Sequence, residues 1–179
     1  MNEIYEKNLH VIMGGMPQKH QQIQLTPDAK KKIQDAYFKM YYGLAFANWM
    51  RGMTLGAAWH QALGQVKTFV GTKNANNPAA MYLKQINAAH SVQATKQIMT
   101  HPYKDAHVQC PPEHAAAVNK KIGEMTNAGL GAINGCVAQY DAMQKQSKQA
   151  NYADAQKKMQ QMLQLQMQKI MMQQNQNVA

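Results

Sequence analysis

"LTPDAKKKIQDAYFKMYYGLAFANWM", residues 25–50, is the stretch whose reading decides the fold class. Thr26 is a good helix N-cap, because its hydroxyl can accept from an amide that the first turn leaves unbonded. Pro27 suits the first helical position, where its missing N–H costs nothing. Asp28 complements the positive helix N-terminus. Ile33, Tyr37, Met40, Tyr41 and Leu44 then recur at three- and four-residue spacing, which draws one apolar face.

Across residues 40–64 the pattern turns apolar nearly all round. Two readings fit that length: a buried core helix and a membrane span. Arg51 sits in the middle, and Asn48 and His60 interrupt the run, so the core reading is the stronger. The "GMTLG" at 52–56 marks a bend, predicting two helices over about 27–50 and 54–70. Gly52 and Gly56 also form a small-xxx-small pair that would permit close helix packing. Trp49 and Trp59 would anchor that core.

The same signals recur downstream. Asn77 and Pro78 open a helix that His101-Pro102 ends, with Met81, Ile86, Ala89, Val92 and Ile98 as its apolar side. Pro111-Pro112 leads into another, over about 112–148. It carries Gly123, Gly129, Gly131 and Gly135, each costing roughly 1 kcal/mol in a helix interior. Close contact with another helix would offset that cost; a break near Gly129 is the alternative. A last helix over 151–179, capped by Asn151, is rich in methionine and glutamine. Its apolar row is Met159, Met162, Leu163, Met167, Ile170 and Met171, joined by Met172. No segment alternates as a strand does. The fold expected is all-α: five or six helices in a bundle-like or orthogonal array, with a long Met/Gln-rich C-terminal helix. The chain divides into a loose arm at 1–25, a helical core at 26–150 and the C-terminal helix at 151–179.

Composition narrows the function classes. Of 179 residues, 15 are Met and only 3 Phe. Methionine is unbranched and polarisable, so it either fills irregular cores or serves adaptable contact surfaces. The net charge of +10 draws the chain to acidic partners, nucleic acid or anionic membrane. Yet Arg51 is the only arginine, and bidentate reading of bases or phosphate favours arginine. The lysines offer non-specific attraction alone. Residues 1–20 lack the basic-then-apolar layout of a cleaved signal peptide. The expectation is synthesis in a cytoplasm, with export open to a route that needs no cleaved signal, as bacterial secretion-system substrates use.

Chemistry-bearing motifs are scarce. The carboxylates are scattered, and there is no GxSxG, P-loop, HExxH or GxGxxG. The exception is "HPYKDAHVQCPPEH", residues 101–114. His101, His107, Cys110 and His114 are ligand types that zinc accepts, although Pro111 and Pro112 keep Cys110 and His114 off one helix face. The alternatives are a polar connection whose histidines cap helix ends, and a Cys110–Cys136 disulfide. His60 and His90 lie within apolar helical patterns and read as hydrogen-bonded core histidines. No cofactor is expected unless zinc binds at 101–114. The leading expectation is a non-enzymatic helical interaction protein, as a bacterial secretion-system effector or component would be. Its contact with a protein partner, or with itself, would run through the C-terminal helix. A small metal-binding protein or enzyme using the 101–114 cluster, and a membrane-active or basic nucleic-acid-associated protein, are the alternatives.

Overall fold

The computed structural model describes residues 23–177, and within them the chain is helical with no strand. Four helices follow in order: α1 (Pro27–Met50), α2 (Leu55–Gly71), α3 (Pro78–Thr100) and α4 (Pro112–Asn177). Two compact units divide the chain: residues 24–141, and a second that contains 142–177. The arm drawn at 1–25 falls almost wholly outside the described residues.

Local chemistry sets the helix starts. Thr26 is extended (φ −68°, ψ 156°), and its Oγ1 accepts from Ala29 N at 3.1 Å. Thr54 repeats the device, accepting from Ala57 N at 3.3 Å. Asn77 does more. Its Oδ1 accepts from Ala79 N at 2.8 Å and Ala80 N at 3.2 Å, while its Nδ2 donates to Val137 O at 2.8 Å and Asp141 Oδ1 at 2.7 Å. A side chain that caps α3 therefore also ties it to α4, and it is fully buried.

The bend expected at 52–56 separates α1 from α2. Gly52 takes φ +103°, a conformation that a side chain would strain. Asn48, fully buried, spans the corner: its Nδ2 donates to Ala58 O and Gln65 Oε1, and its Oδ1 accepts from Arg51 Nη1. Arg51, whose charge argued against a membrane span, is exposed at the end of α1. No described helix is long and apolar enough to cross a membrane. Gly52 and Gly56 do not form a helix-packing pair. A Cβ on Gly52 would meet nothing within 4 Å, whereas one on Gly56 would lie 3.0 Å from Lys104 O in the α3–α4 connection.

The core of the 24–141 unit is built from alanine, aliphatic and tyrosine side chains. Ile33, Tyr37, Met40 and Tyr41 come from α1, Ala58, Ala62 and Val66 from α2, Ala80, Leu83 and Ala94 from α3, and Ile133 and Tyr140 from α4. Two glycines let α1 and α4 approach. A Cβ on Gly129 would stand 2.6 Å from Ala36 O and 2.8 Å from Met40 N, and one on Gly43 would collide with Thr126. Gly129 is thus a contact rather than a break.

Two expectations are corrected. The described residues hold four helices, and the two drawn at 112–148 and 151–179 are one. The join at 148–151 reads Lys-Gln-Ala-Asn, with neither Gly nor Pro to stop a helix, and Asn151 lies inside it rather than capping it. The apolar side drawn for α3 is also displaced. Met81 and Val92 are exposed, as is Ala89, while the inward row runs through Leu83, Asn87, His90 and Ala94. Of the two roles open to methionine, the described residues favour the surface one: Met40 is the one methionine buried among them.

Candidate functional site

Three regions hold the residues that sequence reasoning singled out, or missed. The first is the end of α4. A helix advances about 100° per residue, which places Met159, Leu163, Met167 and Ile170 within an arc of about 80°. Met162 and Met171 widen that arc on either side. Each of the four is exposed, from 45% for Met159 to 61% for Met167, and Met171 is 61% exposed. Met162 is half-buried. Charge is sparse over 151–177, with Asp154, Lys157, Lys158 and Lys169 alone against a run of glutamines. The result is an apolar row on a single helix, open to solvent and flanked by neutral hydrogen-bonding side chains.

The second region is 101–114, which leaves α3 at His101 and enters α4 at Pro112. Its groups bond locally. His101 Nδ1 accepts from Tyr103 N at 3.1 Å, and His107 Nδ1 lies 3.1 Å from Gly52 O. The Cys110 thiol contacts Pro111 O at 3.6 Å, and His114 is an exposed residue of the first turn of α4. Among the described residues, no three His, Cys, Asp or Glu side chains are placed to hold a metal ion together. Cys110 and Cys136 are both free thiols; Cys136 is buried, and burial pushes its pKa up. The stretch also docks on α2 through its backbone, since Gly56 N donates to Lys104 O at 2.7 Å and Leu55 N to Ala106 O at 2.9 Å. Trp49 Nε1 adds a bond to Ala106 O at 3.1 Å.

The third region was not foreseen. Phe38, Tyr42 and Phe46, four residues apart on α1, stack along the helix at centroid distances of 6.0 and 6.4 Å. Trp59 of α2 meets Tyr41 at 5.0 Å and Tyr42 at 5.3 Å. His90 of α3 stands edge-on to Tyr41 at 4.6 Å, and its Nδ1 lies 2.8 Å from the Tyr37 hydroxyl, which donates to Asn87 Oδ1. Burial lowers the His90 pKa, because a cation there would lose its hydration. The same cause pushes Tyr41 up to about 12. His90 is thus the hydrogen-bonded histidine its position suggested, while His60 is exposed. Of these rings, Tyr41, Tyr42, Trp59 and His90 line a cleft of about 200 Å³ that continues to Ala94, Ile98, His101 and Lys104. The i, i+4 aromatic spacing on α1 was a visible signal. What hid the site was the polar Asn87 and His90 row, which an apolar count passes over.

Comparison with known proteins finds no family model that matches the chain, and no curated protein or solved structure similar to it.

Proposed function

We propose that this chain is a helical interaction protein whose contact surface is the apolar row of α4, and that a second copy of the chain is the first partner to fit it. The observation that carries the reading is the exposure of Met159, Leu163, Met167, Ile170 and Met171 along one helix. Single exposed apolar residues are ordinary, but a row of them at helical spacing suits another helix laid alongside. Methionine favours such a contact because its side chain adapts to the surface it meets. Few charges lie along the row, so little like-charge repulsion acts at the contact itself, and a two-fold contact uses the same residues from both.

The magnitudes favour a modest affinity. Fully burying one such side chain contributes about 1.5–3 kcal/mol, and these are already about half covered. Five of them then supply about 4–8 kcal/mol from each copy. Association costs about 4–15 kcal/mol in lost freedom; at a mid-range cost of about 8 kcal/mol, the roughly 8–16 kcal/mol from the two copies together leaves at most about 8 kcal/mol, a dissociation constant that is micromolar or weaker. Replacing Met159, Leu163, Met167 and Ile170 by glutamine keeps the helix propensity and removes the apolar row. That variant should keep its helicity and lose self-association. Because the contact is apolar, raising the salt concentration should not dissolve it, in contrast to lysine-driven binding of nucleic acid.

A further inference from the structure

The aromatic cleft of the 24–141 unit points to a second, independent activity. We propose that it binds a small planar aromatic acid, with the rings of the ligand among Tyr41, Tyr42 and Trp59 and its anionic group toward Lys104. Ligand sites are mostly apolar concavities with a few convergent polar groups, and this cleft has that makeup. Its volume of about 200 Å³ exceeds the roughly 150 Å³ cavity that admits benzene. The walls offer ring faces from α1 and α2 and aliphatic surface from Ala94 and Ile98 of α3.

Electrostatics selects the class of ligand. Aromatic walls also attract organic cations, but a cation here would meet Lys104 and no carboxylate lines the cleft. An anion meets the opposite field. The main chain at Lys104 is held against the rim of the cleft: Lys104 O accepts from Gly56 N at 2.7 Å, and Gly56 lacks the Cβ that would push this connection away. Its Nζ lies 3.4 Å from Met99 O, a weak bond that a carboxylate can replace. Gln97, His90 and His101 are the other non-phenolic polar side chains of the lining, and Lys104 is the one lysine among them.

The test uses the full chain with 2-naphthoate and its neutral isostere, 2-naphthamide, followed by titration calorimetry at low salt. The expected result is saturable one-to-one binding of both, with naphthoate tighter by about fivefold. Lys104→Met should remove that preference while leaving naphthamide binding unchanged. Ile98→Phe should fill the cleft and weaken both ligands, with circular dichroism showing that the variant keeps its helicity. Should that variant not fold, Lys104→Met decides alone, since Lys104 is exposed. Absence of saturable binding overturns the proposal. So does equal binding of acid and amide, or a preference that survives Lys104→Met, which would mark diffuse attraction to a chain of charge +10.

Discussion

Two glycines on α4, two residues apart, should respond to the same substitution with opposite signs. Gly129 faces α1, and an added Cβ would stand 2.6 Å from Ala36 O and 2.8 Å from Met40 N. Both neighbours are backbone atoms, so no side chain can swing aside, and α1 and α4 must separate. Overpacking of this kind costs about 1–3 kcal/mol, against roughly 1 kcal/mol gained from alanine's helix propensity. Where the helices cannot move freely, Gly129→Ala should destabilise by up to about 2 kcal/mol. Gly131 is exposed and has nothing within 4 Å of an added Cβ, so Gly131→Ala should stabilise by about 0.5–1 kcal/mol. Urea denaturation followed by tryptophan fluorescence reads the right unit, because Trp49 and Trp59 both lie within residues 24–141. Shifts of the same sign for the two variants would refute the account of the α1–α4 crossing.

Two further predictions follow from the polar groups inside that unit. Asn77→Ala removes the cap of α3 and strips Val137 O and Asp141 of a donor, which should cost about 2–4 kcal/mol in denaturant melts; a change under 1 kcal/mol would contradict this role. His90 has a folded pKa below the ordinary 6.5, so the unfolded chain takes up the proton first on acidification. Its contribution is therefore present in full above about pH 6.5 and is lost as pH falls through the lowered value. The stability gap between the native chain and His90→Gln should narrow from pH 7 to pH 5. A gap that is constant or widens would count against a neutral, buried imidazole.

Much of this fold is legible in single residues. Thr26-Pro27-Asp28 and Asn77-Pro78 place two helix starts to the residue, because the chemistry of a cap is local. The α1–α2 bend is legible for the same reason, since Gly52 alone can relieve its positive φ. Misread features depend on what lies across the contact. Gly129 and Gly131 look alike in the sequence, and only the position of α1 separates a packing site from open helix surface. The inward row of α3 contains Asn87 and His90, which bury their polarity against Tyr37 and so escape a hydrophobic count. Residues 148–151 carry a plausible cap in Asn151, but a cap needs a preceding segment unable to continue as helix, and Lys-Gln-Ala continues readily. Of the candidate sites, the α4 row was visible as periodicity. The aromatic cleft required three helices to meet.

The most direct test of the interaction reading is sedimentation equilibrium of the full chain from about 1 to about 200 μM, a range that brackets micromolar association. The exposed row predicts a rise in mass toward twice the 20.1 kDa chain, unaffected by added salt. It also predicts that the Met159, Leu163, Met167 and Ile170 to glutamine variant stays at the mass of one chain while keeping its helical circular dichroism. A native chain that remains monomeric throughout, or a glutamine variant that still doubles in mass, would contradict self-association through α4.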